Sequence, residues 1–168
     1  KKNTKFLKNK NYKKLIYAIK KSCKIKMSYI NKDVNEKNLR MILNFGHTFA
    51  HAIEAKNNFS KKISHGEAVL SGMILATRLS VIKNVCNPKV LREIEKIYYE
   101  NNLGYTIKRF SSRNKIKTII PYLKNDKKNN DNKINFILLK NIGKTTLPNK
   151  FKMSLENVRK LSNSISQY

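Results

Sequence analysis

The sequence predicts a mainly α-helical domain that carries one small β-hairpin. Three observations support this. Apolar residues recur at helical spacing over most of the chain, several segment boundaries carry capping residues, and the best strand pattern is confined to the stretch after residue 133. At 168 residues and 40% hydrophobic content, the chain suits a single domain, residues 1–168, with a core of its own. No apolar run approaches the ~18 residues that a membrane span needs. The basic start has no apolar segment behind it to make a signal peptide. Cys23 and Cys86 are too few and too far apart for a metal knuckle or a disulfide framework, and reduced thiols in a cytoplasmic protein are expected. No internal repeat is present. The chain starts at Lys1 and not at methionine, which raises the expectation of a longer protein.

A net charge of +27 with a pI near 10.2 would ordinarily point to nucleic acid. Here the lysines run the whole length among many Asn and Ile residues, and these three residue types share A/T-rich codons. Genome bias therefore accounts for the charge without a polyanionic partner. No RNA-binding signature, zinc knuckle or glycine-arginine tract accompanies it. The expectation is no nucleic acid and no membrane.

Residues 1–10 are lysine-rich and weakly patterned, as a frayed end or the tail of a preceding helix would be. From Tyr12 to about Ile30, Leu15, Ile16, Ile19, Cys23 and Met27 mark a helix. On periodicity alone, Lys26 is one lysine among many on a solvated face. A polar connection follows, and Glu36 or Lys37 opens a second helix that runs to Ala55. After the loop 57–63, Ser64-His65-Gly66-Glu67 has the form of a capping box and starts a long apolar helix to about Lys83. Asn87-Pro88 opens the next, which ends near Gly104 as a left-handed cap. Thr106–Phe110 reads as a short strand, Ser112 as the cap of a helix that Pro121 shortens, and 124–133 as a polar loop. Ile134–Leu139 is the best strand, with Gly143 turning it toward a second extended piece at 145–147. Ser154 begins a final helix.

The stretch from Arg40 to Met73 organises the rest. It holds all three histidines, His47, His51 and His65. At helical spacing Arg40, Asn44, His47, His51 and Glu54 fall within an arc of roughly 80°, amid Met41, Ile42, Leu43, Phe45, Phe49, Ala50, Ala52 and Ile53. A polar stripe on a buried helix is costly unless each group has a partner, so it is expected to line a site. By spacing alone, His47 and His51 form an i, i+4 pair able to share a metal, with His65 placed by its cap to point across. The HxxxH spacing lacks the glutamate of a HExxH motif and implies no protease.

LRMILNFGHTFAHAIEA followed by HGEAVLSGM resembles the carboxy-terminal domain of the 3-dehydroquinate synthase family, within the sugar-phosphate cyclases. The likeness runs from about Lys26 through the DKK at 126–128 and the strand and IGK after it. One departure is Ala50, where the family usually has glycine; alanine in a helix is harmless.

The resemblance implies the helical, metal- and substrate-binding half of a dehydroquinate synthase-like fold, with an amino-terminal NAD-binding domain outside this chain and a homodimer when complete. It assigns His47 and His65 as ligands of Zn²⁺ (or another divalent metal such as Co²⁺), the third ligand being a glutamate upstream. This differs from the bare spacing, because His51 becomes a catalytic contact to substrate. Lys26 joins it as catalytic, Arg40 and Asn44 bind substrate, and Lys127 and Lys128 are the candidates for phosphate contact. The implied reaction is a shikimate-pathway lyase step in aromatic amino acid biosynthesis, dependent on zinc and NAD⁺. The other reading in the same superfamily is 2-deoxy-scyllo-inosose synthase, and a third is a non-catalytic remnant. Two expectations about geometry follow. Arg40, Asn44, His47 and His51 should line one side of a cleft, and His65 should approach His47 more closely than any other charged group.

Overall fold

The computed structural model describes residues 12–125 and 133–168. The expected frayed start at 1–10, and the Lys127 and Lys128 assignments, lie outside these residues. The fold is mainly helical with a small antiparallel β element. Among the described residues no helix is long and apolar enough to cross a membrane.

Helix α1 (Tyr12–Ile30) matches the predicted segment, yet none of its residues is buried. Leu15, Ile16, Ile19, Ile25 and Met27 remain exposed along it. The turn after α1 is built on Asp33. Its carboxylate accepts from the backbone N–H groups of Lys37, Asn38 and Arg40 at 3.0, 2.8 and 3.0 Å. Desolvation raises the Asp33 pKa, but these backbone donors and the nearby Arg40 charge outweigh it and hold the carboxyl below its ordinary value.

The predicted continuous helix from residue 36 to 55 is instead two pieces. A 3-10 helix (Leu39–Asn44) ends at Phe45, and α2 (His47–Lys56) starts after Gly46 in the left-handed conformation, φ 82°. The apolar pattern runs unbroken across the joint, so periodicity could not reveal it. The left-handed glycine is what breaks the helix. Phe49, Ala50, Ala52 and Ile53 are buried on α2.

Helix α3 (His65–Ile82) is the core helix. It begins with the predicted capping box: Ser64 N–H donates to Glu67 Oε2 at 2.9 Å, and Glu67 N–H donates to Ser64 Oγ at 3.3 Å. α2 and α3 pack backbone to backbone at Gly72. A Cβ there would lie 2.2 Å from Gly46 O and 2.9 Å from Ala50 N. Farther along α3, buried Arg78 donates to Glu95 Oε1 at 3.0 Å and to Ile165 O at 3.3 Å. One guanidinium thus ties α3 to α4 (Pro88–Glu100) and to the last helix.

α4 is capped by Asn87 with proline in its first turn, as predicted. The left-handed residue after it is Asn102, φ 58°, and not Gly104. Gly104 instead opens α5 (Gly104–Ser111), where a Cβ would strike the Tyr99 ring at 2.5 Å. The predicted strand 106–110 therefore lies inside a helix. Its apolar pair, Ile107 and Phe110, is spaced three apart and buried, which is a helical spacing. α6 (Arg113–Ile119) gives way to a 3-10 turn (Ile120–Asn125) at Pro121.

The single predicted strand 134–139 is two short ones. β1 (Lys133–Asn135) pairs antiparallel with β4 (Lys152–Ser154), and β2 (Leu139–Asn141) pairs with β3 (Lys144–Thr145). Between them Phe136 N–H donates to Phe151 O and Thr146 N–H to Leu138 O, at 2.9 and 2.8 Å. The four strands are thus two legs of one interrupted hairpin, turned at Gly143, φ 80°. Thr48 Oγ1 donates to Asn135 O at 3.2 Å, and Leu139 N–H to Ser80 Oγ at 2.9 Å, docking the hairpin on α2 and α3. Ser154 caps α7 (Leu155–Gln167), whose Val158 and Ile165 close the core around Phe49, Leu75, Leu79, Ile116, Ile119 and Phe136.

Candidate active site

The Asp33 turn folds the chain back so that α1 faces the 3-10 helix. Lys26 from α1, Glu36 from the turn, Arg40 and Asn44 from the 3-10 helix, and His47 at the start of α2 line one cleft of about 440 Å³. A smaller space of about 20 Å³ beside it is lined by Asn44, His47, His51, Thr48, Met41, Asn135 and Ile137. The helical wheel that grouped Arg40 and Asn44 with the histidines assumed a continuous helix. The broken segment instead turns Arg40, Asn44 and His47 to the larger cleft, leaves His51 on the smaller space alone, and sets His65 with Glu54 on a separate opening of about 400 Å³.

Polar contacts fix their positions. Glu36 sits at φ 54°, an uncommon conformation for a residue with a Cβ. Its carboxylate accepts from Asn44 Nδ2 at 2.7 Å and lies 3.6 Å from Arg40 Nη2. Arg40 Nη1 also donates to Val34 O at 2.9 Å. The fork is therefore pre-oriented, which lowers the ordering entropy of binding a planar anion. Sequence reasoning missed Glu36. The available signal was a carboxylate four residues before Arg40 and eight before Asn44.

The three histidines meet at the α2–α3 contact. The His47 and His51 ring centroids are 5.8 Å apart, and those of His47 and His65 are 5.7 Å apart. His47 Nδ1 lies 3.4 Å from Phe45 O. A carbonyl only accepts, so this contact favours the proton on Nδ1. His65 does not find its nearest charged neighbour in His47. Its Nδ1 is 2.8 Å from Glu54 Oε1. The reason is spacing: Glu54 lies seven residues after His47, on the same face of α2 and nearly two turns along, and the cap sets His65 against that face.

Glu67 has the structural role that the cap implies. Hydrogen bonds from the Ser64 backbone and side chain, opposed by desolvation and aided by Tyr105 and Arg109, hold its carboxyl below the ordinary value. Tyr105 OH donates to it at 3.3 Å.

Among the described residues no group of three or more His, Cys, Asp or Glu side chains is arranged to hold a metal ion. Two neighbouring imidazoles do fit one that draws a further ligand from elsewhere. His65 has its second nitrogen on a carboxylate, the usual outer partner of a metal-bound histidine.

Residues 1–129 match the family described as 3-dehydroquinate synthase C-terminal. The chain is 43% identical over 143 residues to 3-dehydroquinate synthase of Pelagibacter ubique (strain HTCC1062), covering 80% of this chain and 39% of that protein. It is 41% identical over 146 residues to 3-dehydroquinate synthase of Dictyoglomus turgidum (strain DSM 6724 / Z-1310), covering 87% and 39%. The chain thus spans about 39% of the length of these curated relatives. Among solved structures, 2-deoxy-scyllo-inosose synthase complexed with carbaglucose-6-phosphate, NAD⁺ and Co²⁺ aligns with a TM-score of 0.65 at 26% identity, over 82% of this chain and 37% of that one.

Proposed function

Since the chain belongs to the 3-dehydroquinate synthase family through its C-terminal domain, we propose that it forms the metal- and substrate-binding part of an enzyme converting 3-deoxy-D-arabino-heptulosonate 7-phosphate to 3-dehydroquinate and phosphate. The observation that carries this reading is the cleft itself. It gathers Lys26, Arg40, Asn44 and His47 from three separate segments, at the positions the family resemblance marks.

Arg40 offers its planar fork to the substrate carboxylate, the role a fixed guanidinium serves best. Asn44, its amide held by Glu36, donates to or accepts from a sugar hydroxyl. Lys26 contributes a point charge from the opposite wall. His51 moves a proton at the phosphate-bearing end, and Lys127 and Lys128 balance the phosphate charge. His47 and His65 would hold a divalent metal, Zn²⁺ or Co²⁺, together with a carboxylate ligand from outside this chain. When bound, the metal would acidify the hydroxyl to be oxidised, and NAD⁺ would supply the acceptor for hydride from the carbon that bears that hydroxyl. The remaining work of the 168 residues is to orient the sugar acid and to exclude water from it. The complete protein is proposed to be a cytoplasmic homodimer with an amino-terminal NAD-binding domain.

A second reading, a cyclase acting like 2-deoxy-scyllo-inosose synthase, is supported by the structural likeness. A hexose phosphate has no carboxylate, so it would leave the Arg40 fork without its anion. Phosphate release by the complete enzyme separates the two readings. Turnover of the heptulosonate phosphate with glucose 6-phosphate inert is expected, and the reverse preference would overturn the proposal. The 168 residues assayed alone with zinc, NAD⁺ and substrate should release no phosphate. Two histidines are only part of a three-ligand protein set, and without oxidation the proton lost in elimination is not acidic enough.

A further inference from the structure

Glu54 has no role in the family motif as read above, nor in the cleft. Yet its carboxylate lies 2.8 Å from a proposed metal ligand, and it is the better buried of the pair. The Glu54 side chain is 16% exposed and the His65 side chain 61%. A mostly exposed imidazole has every rotamer and both tautomers open to it unless something holds it. The 2.8 Å contact to Nδ1 is what holds it.

We propose that Glu54 is the positioning residue for His65: it fixes the ring's orientation and its tautomer, so that Nε2 is the nitrogen offered for coordination beside His47. This rests on the reading of His47 and His65 as metal ligands. The argument is one of donors and acceptors. An ionised carboxylate only accepts, so the nitrogen facing it must carry a proton. In a neutral imidazole that leaves one lone pair, on Nε2. The ring is held at two levels. Its backbone is fixed by the Ser64–Glu67 capping box at the start of α3, and its side chain is fixed by a residue on α2, the helix that carries His47. Ligand and neighbour are thus referenced to the same helix. Glu54 is itself constrained by position: its backbone carbonyl accepts from Asn57 and Phe59 N–H at the end of α2, at 3.1 and 2.9 Å. Truncating its side chain leaves those bonds in place.

An ordinary surface ion pair would show the same distance, so the test must read orientation and not stability alone. Long-range ¹H–¹⁵N spectra of the chain, recorded without metal at alkaline pH, report the tautomer of each of the three histidines. The expected result is His65 in the Nδ1–H form in the native chain, shifting to the Nε2–H form in Glu54→Ala, with Glu54→Gln intermediate because its amide oxygen still accepts. In the complete enzyme, Co²⁺ affinity should fall about 10- to 100-fold in Glu54→Ala and recover in part in Glu54→Gln. A folded Glu54→Ala chain whose His65 tautomer is unchanged overturns the proposal, as does a native His65 already in the Nε2–H form. An altered tautomer with unchanged Co²⁺ affinity would instead overturn the ligand reading on which it rests. Wrong substrate preference in the turnover assay touches neither result.

Discussion

Replacing Gly72 by alanine tests the α2–α3 contact on which the site depends. The new Cβ would sit 2.2 Å from Gly46 O, 2.9 Å from Ala50 N and 3.2 Å from Gly46 C, all backbone atoms. No side-chain rotation can relieve such a clash, so the helices must part by roughly 1 Å to restore ordinary contact. Overpacking of a well-packed interior costs about 1–3 kcal/mol, and backbone on both sides puts this case near 3. Alanine returns about 1 kcal/mol of helix propensity. The net loss of about 2 kcal/mol should lower the melting temperature by about 4–8 °C in a chain of this size. Far-UV circular dichroism melts of Gly72→Ala and Gly66→Ala make the comparison. Gly66 lies on the same helix and has nothing within 4 Å of its virtual Cβ. Gly66→Ala should melt at or slightly above the parent. If Gly72→Ala melts as high as the parent, the backbone contact is not as close as described, and the placing of His65 against α2 loses its physical basis.

Removing Glu95 leaves the Arg78 guanidinium, 4% exposed, without its carboxylate. Glu95→Ala should therefore cost about 3 kcal/mol in urea unfolding, the lower end for breaking a buried pair, and an unchanged midpoint would show the pair to be idle. Glu67 binds its proton less tightly in the folded chain than in the unfolded one. Its contribution is therefore fully present above its ordinary value of 4.5 and is lost as pH falls through the lower folded value. Glu67→Gln should flatten the fall in melting temperature across that acid window, and an acid limb identical to the parent's would contradict the assignment. Glu36→Ala releases Asn44 and half of the hold on Arg40. In the complete enzyme it should lower kcat/KM about 100-fold, as a displacement near 1 Å does, with little change in melting temperature. A loss of less than threefold would show that Asn44 and Arg40 are placed without it.

The parts legible in the sequence are those set by local chemistry. The Ser64–Glu67 box and the Asn87-Pro88 start depend on residues three or fewer apart, and both appear as read. The α1 helix is periodic and present, but its exposure could not be read, because periodicity shows a face and not what covers it. Where the reading failed, a distant contact decided. Gly104 looked like a helix end and is instead the small residue under the Tyr99 ring, while Asn102 takes the left-handed position. Ile107 and Phe110 fall in the expected strand 106–110, but they are buried three residues apart on one face of a helix. In the site, Lys26 carried no signal of its own and came only from the family resemblance. Helical spacing puts Glu54 on the His47 face of α2, but the contact with His65 spans eleven residues and an irregular loop, so only the docking of α3 decides which group on that face His65 meets.

The left-handed joint at Gly46 has a consequence for how such a site can diverge. In one continuous helix, every residue added or lost ahead of His47 would swing Arg40 and Asn44 about 100° around the axis relative to the histidines. Recognition and metal-holding would then be locked in a single register. With the joint in place, the 3-10 helix and α2 keep separate registers and share only a pivot, pinned where Gly72 meets Gly46. The segment proposed to meet the substrate's distinguishing groups can then change in sequence, or even in length, while the histidine corner stays where it is. On the proposed reading, a glycine of this kind separates the residues for substrate recognition from those for the metal, so that one set can change while the other keeps its register.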